Sequence, residues 1–259
     1  MRKYSFTLLT ALLPLMAWTG PRPFFSGPVR GISKMEKSKA YSPGYQENEP
    51  PQVTILSPKD HESYPLNSRV PYKISVSDKE DGESKYDEIA SGEVLVEVTY
   101  MPPTETKNFT NVKPATPDPG LLGIAASNCL LCHAFKGNLI GPSFYEIAQK
   151  YQHTKPDPDT VANRVMNGST GVWGDKVMPS HPELTLEEIK AMLHWINQNA
   201  AQEGKQYYHG LEGTVELNPD SPSAEKVGVF VITSYYRDHG FDGALKKIGT
   251  DQVILEVTE

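Results

Sequence analysis

Two groups of short β-like segments stand on either side of a stretch with helical spacing. The first group is residues 52–57 (QVTILS), 69–77 and 93–100 (EVLVEVTY), and the second is residues 211–218, 227–236 and 251–259. In 93–100 the apolar side chains alternate, which places Val94, Val96 and Val98 on one face of a strand. Three strands alone would not form a stable sandwich, because one face of the sheet would stay exposed to solvent. We therefore predict one β-sandwich of six or seven strands with the helical segment inserted in a loop. The alternative is two separate β pieces that flank a central domain.

Helix-start signals and amphipathic spacing mark the middle of the chain. Pro119 follows the potential N-cap Asp118, and capping boxes begin at Ser143 and Thr185. Near the end of this stretch, apolar residues recur at i, i+3, i+4 and i+7: Ile189, Met192, Leu193 and Ile196. The predicted fold class is α plus β and multidomain. An all-α domain occupies 116–204, between β segments 52–103 and 209–259.

The N-terminus has the pattern of an export signal. Arg2 and Lys3 precede an apolar run at residues 6–18, which is shorter than the ~20 residues that a membrane-spanning helix needs. We predict that residues 1–20 are an export signal or an uncleaved anchor, and that the Pro- and Gly-rich residues 21–51 are a linker. The bulk of the protein is then periplasmic or extracellular, with membrane contact only through a retained N-terminal segment.

Charge and composition exclude one class of function. The chain has 25 Lys and Arg against 32 Asp and Glu, a net charge of −7, and no basic patch with interleaved aromatic residues. Nucleic-acid binding is therefore not expected.

Both cysteines of the chain lie in one motif, NCLLCH at residues 128–133. A disulfide redox pair would need a thioredoxin-like βαβ frame, which the surrounding sequence lacks. A structural zinc site would need a second ligand pair at suitable spacing, and none is present. The pattern C-x-x-C-H is typical of haem attachment, in which Cys129 and Cys132 form thioethers and His133 ligates iron. Two ordinary thiols beside a histidine are the remaining alternative.

Residues 118–203 resemble class I c-type cytochromes of the small bacterial single-haem type. Four segments carry the resemblance in order: NCLLCH (128–133), GPSFYEIAQKY (141–151), VANRVMNGSTGVWGDKVMPSH (161–181) and LTLEEIKAMLHWI (184–196). The resemblance implies an all-α domain with one covalent haem c. It also implies an electron carrier rather than an enzyme.

The same resemblance assigns roles to six residues. Cys129 and Cys132 would carry the thioethers, while His133 and Met178 would be the two axial iron ligands. The backbone carbonyl of Pro142 would accept the Nδ1 proton of the proximal histidine, and Trp173 would lie near the haem propionates. In addition, Trp195 would lie on a helix that crosses the helix carrying Gly123, where the glycine permits close approach.

Other residues compete for these roles. Met166 and Met192 are methionines that core packing also explains, and His181 follows Met178 closely enough to compete for iron. The acidic turn at 77–83 carries carboxylates that would suit calcium, although a solvated turn explains them as well.

The flanking β segments resemble bacterial immunoglobulin-like modules, on strand patterning and turn residues. A similar pairing of modules occurs in secreted quinoprotein dehydrogenases, which suggests such an enzyme as the redox partner. The function expected is electron transfer between an exported dehydrogenase or other donor and a downstream acceptor. The alternative is a haem-based peroxidase or gas sensor with a displaceable methionine.

Overall fold

The computed structural model describes residues 48–103, 114, 116–219, 228–241 and 243–258. The predicted export signal and nearly all of the predicted linker lie outside these residues. Among the described residues, no helix combines the length and the apolar character needed to cross a membrane.

Among the residues that the structure describes, nine strands form two sheets, more than the six or seven strands that we predicted. The first sheet contains β1 (Gln52–Ser57), β3 (Arg69–Asp78), β4 (Gly82–Glu83) and β9 (Glu212–Glu216). The second has the order β2 (Glu62–Pro65), β11 (Ile248–Thr258), β10 (Val229–Arg237), β5 (Leu95–Met101) and β8 (Lys205–His209). Strand β9 pairs with β3, and β5 lies between β8 and β10. Strands that precede the helical segment therefore pair with strands that follow it.

The sequence pattern located the long strands but not all of the short ones. Strands β2, β4 and β8 lack a run of alternating apolar residues. Strand β8 (sequence KQYYH) begins at Lys205, ahead of the start that we predicted for the second β segment at 209. It joins the sheet through its backbone pairing with β5, which a hydrophobic pattern does not report.

Successive side chains point to opposite faces of a strand, and in β5 and β10 the two faces belong to different hydrophobic cores. Val96 and Val98 of β5 face a core that lies between the sheets, whereas Leu95 belongs to a second cluster with the helices. Strand β10 divides in the same way at Tyr236 and Tyr235. The second sheet is thus buried on both faces along these strands, and the helical segment packs on its outer face.

The helical segment consists of four helices and a small hairpin. They are α1 (Pro119–Ala126), α2 (Phe144–Thr154), α3 (Pro158–Asn167), the hairpin strands β6 (Ser169–Gly171) and β7 (Gly174–Met178), and α4 (Leu186–Asn199). The predicted N-cap at Asp118 and both predicted capping boxes, at Ser143 and Thr185, are confirmed. Each cap satisfies backbone N–H groups that a helix start leaves unpaired.

Helices α1 and α4 approach each other most closely at Gly120, not at Gly123 as the sequence suggested. A Cβ on Gly120 would collide with the carbonyl oxygen of Ala191 and lie 2.9 Å from Cβ of Trp195. A Cβ on Gly123 would instead meet the flexible side chain of Met192. The close approach buries Trp195, which is 2% exposed.

Candidate functional site

A short 3₁₀ turn, Cys129–Leu131, sets the geometry of the C-x-x-C-H motif. It begins after Asn128, whose left-handed backbone (φ 56°) is a conformation that asparagine tolerates better than most residues. The amides of Cys132 and His133 both donate to the Cys129 carbonyl, at 3.1 and 2.9 Å. This turn brings both sulfurs and the imidazole onto the wall of one cavity.

The imidazole of His133 is held on one edge and on one face. Its Nδ1 lies 2.6 Å from the carbonyl oxygen of Pro142. A carbonyl can only accept, so Nδ1 is the donor in this contact, and the neutral tautomer with its proton on Nδ1 has its lone pair on Nε2. Phe144 stacks on the ring, with centroids 5.6 Å apart and planes 19° apart. A side chain on Gly141 would strike the ring, since its Cβ would lie 2.6 Å from Cε1.

The thiol of Cys129 has the character of a structural group rather than a redox nucleophile. Burial raises the pKa of Cys129 to about 11, so the thiol stays protonated at neutral pH. A dithiol catalyst needs the opposite shift, because the thiolate is the attacking species. The raised pKa of Cys129 therefore disfavours a disulfide-exchange function for this motif.

Met178 lies at the end of β7 and lines the same cavity as His133. Two contacts fix this wall. Lys176 donates to the carbonyl of Ile140 at 2.7 Å, which ties β7 to the loop that precedes Gly141. The His181 amide donates to the carbonyl of Met166 at 3.0 Å, which ties the segment after Met178 to the end of α3.

Trp173 completes the set of six predicted residues around the cavity. Lys150 places its Nζ 4.0 Å from the centroid of the indole, within the range of a cation–π interaction. The same ammonium group donates to the carbonyl of Val172 at 2.9 Å. The lysine thus orients the tryptophan and leaves a positive charge at this wall.

Comparison with known proteins gives one consistent answer for this segment. The cytochrome c family profile matches residues 123–200. Cytochrome c-551 of Ectopseudomonas mendocina is 38% identical over 68 residues, which cover 26% of this chain and 82% of that protein.

The chain belongs to the cytochrome c family.

Two further cytochromes c match the same part of the chain. Cytochrome c-552 of Hydrogenobacter thermophilus is 34% identical over 85 residues, covering 30% of this chain and 86% of that protein. The crystal structure of wild-type cytochrome c552 from Nitrosomonas europaea is 30% identical and covers 29% of this chain and 94% of that chain, with a TM-score of 0.28. As a c-type cytochrome, the protein binds one covalently attached haem c, and its relatives are electron carriers.

The cavity fits the cofactor of a cytochrome c. Apolar side chains from all four helices line the cavity, among them Ile124, Ile147, Val161, Met192 and Ile196. An apolar wall, a histidine with a free Nε2 and a glycine that leaves room beside the imidazole suit a bound macrocycle.

The competing residues take other positions in this cytochrome. Met166 is half-buried and does not line the cavity, and Met192 is a buried core residue that also reaches the cavity wall. The Nδ1 atom of His181 lies 2.9 Å from a carboxylate oxygen of Glu183.

The carboxylates of the acidic turn serve as hydrogen-bond acceptors within the protein. Asp78 accepts from the amides of Glu80 and Asp81, at 3.0 and 2.8 Å. Within the ranges that the structure describes, no group of three or more Cys, His, Asp or Glu side chains is placed to hold a metal ion.

One acidic residue of this turn helps to hold a histidine. His239 lies between Asp81 and Glu93, at 3.1 and 3.2 Å. Burial opposes charge on the imidazole, but the charge of Glu93 and the contacts with Asp81 outweigh it and raise the pKa of His239. This ion-pair group therefore joins the turn after β3 to the loop after β10.

Three residues at or behind the cavity wall beside His133 were not predicted to have a role there: Gly141, Phe144 and Phe135. Gly141 and Phe144 lie in the segment GPSFYEIAQKY and line the cavity. Phe135 is 7% exposed and meets Phe144 edge-on. Gly141 and Phe144 meet the imidazole only in the folded loop, so no spacing in the sequence predicts these contacts.

Proposed function

We propose that this protein is an exported single-haem electron carrier in which His133 and Met178 are the axial iron ligands. Cys129 and Cys132 would form the thioethers. The bound haem would supply a one-electron couple, and a thioether ligand favours its ferrous state. The observation that carries the proposal is the 2.6 Å contact between His133 Nδ1 and the Pro142 carbonyl oxygen, which engages one ring nitrogen and would leave Nε2 for the metal.

The chain's own residues would set the conditions for electron transfer. Pro142 would orient His133, and Met178 would be the second protein ligand of the iron, so that protein would supply both of the ligands beyond the macrocycle. Trp173 and its partner Lys150 would provide polar groups near the propionates, where positive charge is favourable. A centre closed on both sides transfers electrons and leaves no position for oxygen or peroxide.

The surface beside the motif supports docking of a redox protein. Ile140 and Val177 line the cavity and are 56% and 67% exposed, so they lie at its rim. Exposed apolar residues at such a rim suit a transient protein interface. We propose that a donor such as an exported quinoprotein dehydrogenase, or another carrier, docks here and that a downstream acceptor follows.

The β part would serve as an immunoglobulin-like module that carries the cytochrome. We propose that residues 116–204 are inserted into one sandwich, because strands from both sides pair in both sheets. In this arrangement the sandwich presents the haem domain to its partners. The N-terminal segment would place the whole assembly on the periplasmic or extracellular side.

Oxidised and reduced absorption spectra test the proposal on the exported protein. We expect a six-coordinate low-spin c-type spectrum with a sulfur-to-iron band in the wild type. Met178→Ala should lose this band and bind carbon monoxide. Met166→Ala is the matched control, since this methionine does not line the cavity, and it should keep the wild-type spectrum. Carbon monoxide binding by the ferrous wild type would instead favour a peroxidase or sensor.

A further inference from the structure

A row of aromatic rings connects His133 with the β part of the protein. Phe144 stacks on the imidazole, and Phe135 meets Phe144 at 5.6 Å between centroids and 61° between planes. Tyr207 of β8 meets Phe135 at 5.6 Å and 38°. Trp195 packs edge-on against both, at 6.0 Å from Phe135 and 4.9 Å from Tyr207. Four aromatic residues thus link the histidine to a strand of the second sheet.

These rings have little room to move. Trp195, Phe144 and Phe135 are 2%, 3% and 7% exposed, and all three belong to one hydrophobic cluster against which Tyr207 packs. Protein interiors are packed as densely as organic crystals, so a change in one buried ring is passed to its neighbours. We therefore expect a substitution at Tyr207 to alter the packing of Phe135 and, through Phe135, that of Phe144.

The plane of the His133 imidazole depends on Phe144. The bond to Cβ and the hydrogen bond to Pro142 hold one edge of the ring, and because a hydrogen bond tolerates bending, a limited rotation of the ring plane stays open. The stacked Phe144 restricts that rotation on one face. Phe135 packs against Phe144 and restricts its position, and Tyr207 of β8 packs against Phe135.

We propose that Tyr207 is a positioning residue for the proximal ligand, acting through Phe135 and Phe144 on the ring plane of His133. Tyr207 lies outside residues 123–200, the part of the chain that matches the cytochrome c family. The β part would then do more than carry the haem domain, because it sets the orientation of an iron ligand. The inference rests on the proposed function, in which His133 ligates the iron. Ligand orientation in turn affects the reduction potential and the electronic structure of the metal.

The test compares variants of the full-length haem protein. Tyr207→Leu removes the ring, and Tyr207→Phe keeps the ring without the hydroxyl. Tyr235→Leu is the matched control: Tyr235 is 3% exposed and belongs to the same cluster, but within the described part of the chain it makes no ring–ring contact. The readouts are the midpoint potential, the shifted NMR resonances of the proximal imidazole in the oxidised protein, and the melting temperature.

We expect Tyr207→Leu to shift both the potential and the imidazole resonances, and Tyr207→Phe to retain the wild-type values of both. Tyr235→Leu should lower the melting temperature as much as Tyr207→Leu while both haem readouts stay at wild-type values. If Tyr207→Leu does not fold, Tyr207→Met replaces it, since methionine fills a similar space without a ring.

Two results would overturn the inference. One is equal haem readouts for Tyr207→Leu and Tyr235→Leu. The other is a Tyr207→Phe variant that behaves like the leucine variant, because the ring contact carries the argument. Failure of the proposed function itself is recognised separately, in the wild type, by a spectrum without histidine–methionine ligation.

Discussion

Gly141→Ala should disturb His133, the proposed iron ligand, without unfolding the protein. The added Cβ would lie 2.6 Å from Cε1 and 2.9 Å from Nδ1 of His133, about 1 Å inside an ordinary contact. A retreat of that size would lengthen the 2.6 Å contact with Pro142 to about 3.6 Å, which no longer counts as a hydrogen bond. A lost hydrogen bond costs about 0.5–1.5 kcal/mol.

The direction of the effect on the haem follows from the role of this hydrogen bond. Donation from Nδ1 to a carbonyl raises the basicity of the ligand and so favours ferric iron. Its loss should raise the midpoint potential. If the whole free energy of the hydrogen bond appeared in the redox equilibrium, the rise would be about 20–65 mV, because a tenfold change in a one-electron equilibrium corresponds to about 59 mV. A redox titration followed by absorption spectroscopy measures this shift.

A second glycine in the same loop provides the control. Gly137 has a φ of +83°, and nothing lies within 4 Å of an added Cβ. Gly137→Ala should therefore cost about 1 kcal/mol of stability through backbone strain and leave the potential unchanged. The reasoning fails if Gly141→Ala keeps the wild-type potential, or if Gly137→Ala shifts it equally.

Three further predictions concern stability. Gly120→Ala should destabilise the protein by about 1–3 kcal/mol, because a backbone carbonyl cannot move aside, while Gly123→Ala should be close to neutral. Urea denaturation compares the two, and equal midpoints would refute the assignment of the close approach. His239→Gln should cost about 0.5–1 kcal/mol near pH 6, since a raised folded-state pKa adds stability that is fully present below the imidazole's ordinary pKa. That cost should vanish as the pH rises through the raised folded-state pKa of His239, and a cost that does not change with pH in thermal melts would contradict it. Ser143→Ala should cost about 1 kcal/mol by removing the N-cap of α2, measured in the same urea assay, and Ser143→Asn should restore most of it.

The sequence predicted the helix caps and the long strands, because these features depend on residues that are close together in the chain. The caps at Asp118, Ser143 and Thr185 follow from side chains a few residues away from the amides they serve, and the sequence predicted all three. The long strands followed from alternation, as Val96 and Leu95 show by pointing into different cores.

Features that depend on tertiary contacts escaped prediction. Strand β8 lies at a sheet edge and contains only two residues with strong strand preference, so its pairing with β5 supplies what its sequence lacks. The close approach fell on Gly120 rather than Gly123 because helix crossing points depend on the packing of the whole segment. Gly141 and Phe144 were assigned no role at the site, since only the folded loop brings them to the imidazole.

The pairing of β5 with β8 and β10 has a consequence for the order of events during synthesis. Strand β5 ends at Met101, and neither of these neighbours exists until roughly a hundred further residues have been made. The helices between them pack against one another within residues 119–199, so all of these helix partners exist before β8 is made. The helical segment should therefore fold first, and the second sheet should form last, after the helical segment has folded. An early strand that waits for late partners is exposed in the meantime, so a nascent chain stalled between 101 and 205 should be the species most prone to aggregate.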